Sequence, residues 1–432
     1  MPTLLQINCT ANWGSTGRIA EQIGQYVMSK GWDSYIAYGR MMNPSKSKLI
    51  RVGSLFNPYE HYAENLLFDN EGLASRLATK QFLREVNRIK PDVVHLHNIH
   101  DHFLNYPFLF SYLCEADIPV VWTLHDCWGI TGHCAHFDYV ECQKWMSECG
   151  DCPQTHSLLG VHLIDNSRRN FRKKKSSFTS VENLTIVTVS EWLTGKVEQS
   201  FLEEKKIMVI PNGVDVQMFR PTPSIEIRKK YGIGSGRFLL AVASIWSERK
   251  GLKDYIRLAS LLGEEVRLVL VGLSAKQAKN LPHNIITVPR TQKVEELAQL
   301  YTEASIVLNL SYEETFGLTT IEGYACGTPA IVYDRTASPE LVAEGTGLVV
   351  QAGDVEGVNT AINIILSSGE SEYSSRCREL AEEKYDKEKS FQAYIDLYDS
   401  LFEDSRRGGV IAYKSLYYKG YCLLSSDGRV AA

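Results

Sequence analysis

Short apolar runs alternate with amphipathic stretches along most of the chain. TLLQINC (3–9), SYIAYG (34–39), DVVHLHNI (92–99), PVVWTLHD (119–126), LTIVTVS (184–190) and KIMVIPN (206–212) read as strands. Gly17–Lys30 and Ala74–Ile89 read as helices, the second stopped by Pro91. Several strands are continuously apolar, as strands covered on both faces are. Strand and helix in alternation predict a mostly parallel sheet between helices. Two prolines, Pro221 and Pro223, then punctuate the chain, and the alternation restarts. Strands are expected at 237–245, 266–272, 284–289, 304–311, 328–333 and 347–350. The fold class is therefore α/β, with two Rossmann-like doubly wound domains over 1–213 and 214–385. A closing helix is expected over 386–404, followed by a tail, 405–432, without helical pattern. Ligands of such sheets bind at the C-terminal strand ends, so two of them face to face leave a cleft.

Composition narrows the function. The 432 residues exceed what one core usually supports. A net charge of -5 argues against a nucleic-acid binder that relies on bulk positive charge. No apolar run approaches the roughly 20 residues that span a bilayer. The N-terminus lacks the basic and apolar regions of a signal peptide, so a cytoplasmic location is expected.

The segment LNLSYEETFGLTTIEGYACGTPAIV (308–332) carries most of the chemistry. A strand ends near Ser311, a loop holds Glu313 and Glu314, and Phe316-Gly317-Leu318 opens a helix. Unpaired amides at that helix start suit a diphosphate. Glu314 and Glu322 are placed to accept hydrogen bonds from sugar or ribose hydroxyls. An isolated pair of glutamates is more often a solvated loop residue and a cap.

The pattern S-x-x-E-x-F-G-L…E-x-x-A-C-G-x-P resembles that of the retaining glycosyltransferases of family 4, which have the GT-B fold. The resemblance extends over about residues 3 to 400. It includes PDVVHLHNIH (91–100), TLHD (123–126), TIVTVSEWL (185–193), VIPNGVD (209–215) and RKG (249–251). It implies that Glu322 binds the donor ribose and Glu314 the transferred sugar. The amides of Phe316, Gly317 and Leu318 would hold the diphosphate, and Lys250 would neutralise it as the bond breaks. No metal is then needed for catalysis. One position departs: the family usually has an arginine six residues before that lysine, and this chain has Ser244. Arg249 is the candidate substitute for the missing charge.

In the first domain, Gly14 lies in the loop matching the family's glycine-rich turn. His125 ends an apolar strand at the cleft, where the resemblance implies contact with the transferred sugar, for positioning rather than as a general base. His97 and Asn98 are expected to line the same cleft. No residue stands out as a carboxylate nucleophile for double displacement. The family is discussed in terms of front-face attack assisted by the leaving phosphate. The implied partners are a nucleotide-diphosphate sugar, with UDP the commoner carrier, and a glycan or lipid-linked acceptor in surface polysaccharide (capsule-type) synthesis. Alternatives are a nucleotide-sugar epimerase of the same fold and a non-catalytic sugar-nucleotide-binding protein.

Two further features stand apart. The insertion 127–153 holds Cys134, Cys142, Cys149 and Cys152, ending in C-x-x-C-P. This composition fits a structural zinc, two disulfides, or reduced buried thiols. Between Arg168 and Lys175 six of eight residues are basic, which reads as a solvated helix face or as peripheral contact with an anionic membrane.

Overall fold

A computed structural model describes residues 1–412, apart from 155, 158, 159, 162, 264 and 280. The expected tail from 413 lies outside the described residues. The strands are β1 (Thr3–Ile7), β2 (Asp33–Tyr38), β3 (Lys48–Arg51), β4 (Val93–Leu96), β5 (Val120–Leu124), β6 (His156–Ser157), β7 (Gly160–Val161), β8 (Leu184–Thr188) and β9 (Lys206–Val209) in the first half. The second half contributes β10 (Arg237–Val242), β11 (Val266–Val271), β12 (Ile285–Val288), β13 (Ile306–Asn309), β14 (Ala330–Tyr333) and β15 (Gly347–Val350).

Among the described residues two large sheets form beside the small β6–β7 pair, with orders β3-β2-β1-β4-β5-β8-β9 and β12-β11-β10-β13-β14-β15. Every pairing within the two large sheets is parallel. Central strands β4, β5, β8, β13 and β14 are buried at every residue, because helices cover both faces. In each sheet the order reverses beside the first strand, at β1/β4 and at β10/β13, which opens a crevice at the C-terminal ends.

Elements that escaped the sequence pattern include β3, the helices Asn57–Phe68, Tyr106–Ala116 and Glu191–Val197, and the β6–β7 hairpin. β3 is a four-residue edge strand with no fully buried residue, so it has little hydrophobic signature. The closing helix also differs from expectation. It runs from Lys387 through Ala412, past the expected end at 404. It covers the first sheet rather than the second, packing Phe391, Tyr394 and Tyr398 against Leu4, Ile23, Val93 and Val121. Two chain crossings thus join the domains side by side, where Val214 bonds reciprocally to the backbone of Tyr385 and Lys387 (2.7 and 2.9 Å). Gly213 is required there: a Cβ would lie 2.2 Å from the Cα of Lys387.

Candidate functional site

β13 delivers the loop Leu310–Gly317, and Gly317 (φ +102°) turns it into the helix Leu318–Ala325. The left-handed backbone at Gly317 is one that side chains with a Cβ rarely adopt. The amides of Phe316, Gly317 and Leu318 stand at the helix start with no acceptor among the described residues. Arg249 and Lys250 share the single turn Glu248–Lys250, which follows the exposed Ser244–Ile245 segment. Lys250 Nζ pairs with Glu314 Oε1 at 2.5 Å, both largely shielded from solvent. Burial works to raise the Glu314 carboxyl, but Lys250, with help from Arg249, holds it below the usual carboxylate range. Arg249 Nη1 donates to the Glu313 carbonyl (3.0 Å), placing a second positive charge beside the loop.

Glu322 sits further along the helix, accepting a hydrogen bond from Tyr301 Oη (2.7 Å). Burial holds its carboxyl up at about 7, against the pull of Tyr301 and the charge of Arg18. Arg18 belongs to the first domain's helix Gly14–Ser29, so the Gly14 turn (φ +68°) is on the side of the cleft that Glu322 faces.

His125 follows β5. Its carbonyl accepts from Thr315 Oγ1 (2.7 Å), across the domain boundary. Its ring joins a chain of imidazoles. Gln6 Nε2 donates to the Ala20 carbonyl, which leaves Gln6 Oε1 to accept from His97 Nε2 (3.0 Å). His97 Nδ1 is then the acceptor for His125 Nε2–H (3.1 Å), and His125 Nδ1 keeps its lone pair. This tautomer assignment follows from the orientation of the Gln6 amide. Burial lowers His125 to about 4, so its imidazole is neutral at physiological pH. The adjacent Asp126 is different: burial opposes its ionisation, yet His100, 2.9 Å away, holds it well below the ordinary range.

The domains meet through this same loop. Glu313 is almost fully buried, and its carboxylate accepts from the amides of Phe137 (2.8 Å), Asp138 (3.0 Å) and Tyr139 (3.4 Å) of the Cys-rich insertion. Ser190 Oγ donates to the Thr315 carbonyl, and Glu340 accepts from the amides of Glu191 and Trp192. Sequence reasoning placed Glu313 in the loop but gave it no role, and it missed His136. Burial, with Arg249 nearby, lowers His136 to about 3, a neutral ring near Asp126, Lys250 and Glu314. No motif marks an insertion residue as part of a cleft, so no sequence signal pointed to it.

The anticipated residues are therefore distributed as follows. Lys250, Glu314, Arg249 and the Phe316–Leu318 amides surround one loop, and His125 is tied to that loop from the opposite domain. Glu322 and Gly14 lie further along the cleft. Cys134, Cys142, Cys149 and Cys152 line a separate cavity inside the insertion.

Comparison with known proteins bears on the family and the fold. The models described as Glycosyltransferase Family 4 and Glycosyl transferases group 1 match residues 16–218 and 223–384. The putative colanic acid biosynthesis glycosyl transferase WcaC of Escherichia coli (strain K12) is 21% identical over 422 residues, covering 92% of this chain and 100% of that protein. N-acetyl-alpha-D-glucosaminyl L-malate synthase of Bacillus anthracis is 27% identical over 242 residues, which is 53% of this chain and 63% of the relative. Among solved structures, sucrose-phosphate synthase from Thermosynechococcus elongatus superposes with a TM-score of 0.70 at 18% identity, covering 94% and 100% of the two chains. Anabaena HepE in complex with UDP-glucose superposes at 0.62 with 14% identity, covering 92% and 99%. At these identities the structural matches establish the GT-B fold.

Glu313 links the domains through three amides that have no other acceptor among the described residues. Glu313→Ala should cost about 1–3 kcal/mol, the penalty of stranding buried donors, and should loosen the closed arrangement. Urea denaturation and an increased radius of gyration in small-angle scattering would register both effects.

Proposed function

The chain belongs to the family 4 glycosyltransferases of GT-B fold, and from that premise we propose that it moves a sugar, with retention, from a nucleotide-diphosphate donor to a glycan or lipid-linked acceptor. The observation that carries this reading is the Lys250–Glu314 pair at the bare amides of Phe316–Leu318, with His125 fastened to the same loop. Bond cleavage puts charge on the leaving diphosphate. Lys250, Arg249 and the helix start form a fixed cationic surface for it, inside a cleft where water screens little. Arg249 thus supplies charge that Ser244 does not.

The ionised Glu314 accepts from sugar hydroxyls, and the neutral His125 ring offers one oriented hydrogen-bond site beside the reacting carbon. Front-face attack, with the leaving diphosphate taking the acceptor's proton, needs no carboxylate nucleophile. Glu322 accepts from the ribose hydroxyls. The base is proposed to be uracil. The setting is surface polysaccharide assembly at the cytoplasmic face of the membrane; the WcaC relative is named for colanic acid, a likeness that supports this setting. No observation favours an epimerase.

A surface feature bears on the acceptor. No helix among the described residues is long and apolar enough to cross a membrane. The helix Asn57–Phe68 nevertheless presents Phe56 (72% exposed), Tyr59 (75%), Tyr62, Leu67 and Phe68 to solvent at its start and along its length. The basic helix Ser167–Thr179 packs at its far end, where Arg169 donates to the Phe68 and Asp69 carbonyls. In that run Lys174 is buried, and Arg168 and Arg172 pair with Glu148. The apolar ridge, with the exposed Lys173 and Lys175 on the adjoining basic helix, is the surface we assign to peripheral membrane contact.

Lys250→Ala should lower kcat by about 10²–10³-fold, the usual loss of one leaving-group stabiliser, measured by release of nucleoside diphosphate from UDP-sugars; unchanged turnover would reject the assignment. Ribose hydroxyls favour the ionised form of Glu322. Because its carboxyl titrates near 7, UDP binding at about pH 6 should release a proton. Calorimetry in buffers of different ionisation heat should detect that release, and Glu322→Gln should abolish it. Phe56→Ser with Tyr59→Ser should reduce co-flotation with phosphatidylglycerol vesicles several-fold; equal flotation would remove the ridge from the reading.

A further inference from the structure

The insertion holds chemistry that sugar transfer does not use. Cys134, Cys142, Cys149 and Cys152 line one small cavity, walled also by His133, Trp145 and Gln154. All four are free thiols; Cys134 and Cys149 are buried, and Cys142 and Cys152 are half-buried. We propose that these four sulfurs bind a structural zinc ion, and that this ion fixes the segment that docks on Glu313.

Three observations support the sulfur set. The first is backbone donation to sulfur: Gly132 N–H reaches Cys149 Sγ (3.2 Å), and Gln154 N–H reaches Cys152 Sγ (3.4 Å), two residues back in the chain. Such bonds favour the thiolate, the form that ligates metal. The second is a buried lysine, whose charged form burial disfavours. Lys174 is fully buried, donates to the Trp128 carbonyl (2.7 Å) and lies 3.5 Å from that ring's centroid. Among the described residues no carboxylate lies within ion-pair distance of it. An ammonium without a counter-charge is costly in such a place. Zinc with four thiolates carries two negative charges, which supplies one.

The third is an outer support. His133 is wholly buried, its Nδ1 against Asp69 Oδ2 (2.9 Å) and its Nε2 against Cys152 Sγ (3.2 Å). A carboxylate–imidazole arm of this kind commonly orients a metal ligand. The competing set is Asp69, His133 and Asp165. It is the one trio of potential ligand atoms among the described residues that lie within 4.8 Å of one another, so the sulfurs must draw together on the ion. Asp165 is exposed, however, and four soft thiolates outrank that mixed set for zinc.

The consequence reaches the cleft. Phe137 stacks on Trp145 (centroids 4.7 Å apart), joining the cavity wall to the turn that gives its amides to Glu313. Binding converts the thiols to thiolates with release of their protons, so the ion stiffens the insertion at neutral pH and above.

The test uses the full chain, purified without a metal-affinity column. Elemental analysis should find about one zinc per chain, as a closed structural site holds. A mercurial thiol reagent should release it as the insertion cysteines react. Cobalt substitution should give the intense visible bands of tetrahedral thiolate coordination, a readout that needs no variant. Cys134→Ser and Cys152→Ser should lose most of the metal, whereas Asp165→Asn should retain it. Absence of zinc, disulfides found by mass under non-reducing conditions, or metal lost only in Asp165→Asn would each overturn the proposal.

Discussion

Closure of the cleft depends on a buried carboxylate. Glu313 is almost fully covered, and burial raises its carboxyl above the usual range, opposed by the amides of Asp138, Phe137 and Tyr139 and by Arg249. A carboxylate can be kept in such a place only if its hydrogen bonds are made. Those bonds come from the other domain, so the loop is fully satisfied only when the domains are together. The next two residues inherit that position: Glu314 meets Lys250, and Thr315 meets the His125 carbonyl. A contact that joins the domains therefore also places the groups assigned to the donor.

The charges of the cleft are segregated by environment. Lys250 and Arg249 stand on one turn of the second domain, beside the Gly317 helix start. The rings of His95, His97, His125 and His136 are all held neutral by burial. In a cluster this dense, mutual repulsion would make several imidazolium ions expensive. The neutral chain Gln6–His97–His125 instead supplies directed hydrogen bonds without adding charge. Lys250 and Arg249 thus stand where a diphosphate would sit, while the His97 and His125 rings facing them add no charge. This division suits a reaction whose developing negative charge lies on the leaving group.

How much of this was legible depends on the kind of interaction. Parallel strands buried on both faces are long apolar runs, so β4, β5, β8, β13 and β14 were readable from sequence. Edge strand β3 was not, because half-exposed residues carry no such run. The end of the last helix was missed because its periodicity fades after Ser405, where Arg406, Gly408 and Gly409 weaken the pattern. In the site, Lys250, Glu314 and Glu322 were readable through local motif spacing, and the structure brings Lys250 and Glu314 together as an ion pair between two loops. Glu313 and His136 were not assigned roles, since their partners are 174 to 176 residues away or in an insertion with no periodic signal.

The Cys-rich insertion explains why an interdomain contact can be made by so irregular a segment. Residues 127–154 contain only two short single-turn helices and no strand. A segment with so little secondary structure loses much conformational entropy when it is ordered. Aromatic packing of Phe137 on Trp145, and the bonds of Lys144 to the Gly150 and Asp151 carbonyls, offset part of that cost. Cross-linking through the sulfurs would offset more, by shrinking the ensemble of the undocked insertion. Its amides would then meet Glu313 already arranged, and the contact would give a larger net stabilisation. On this view the thiol cluster does not touch the donor; it lowers the cost of holding the loop that does.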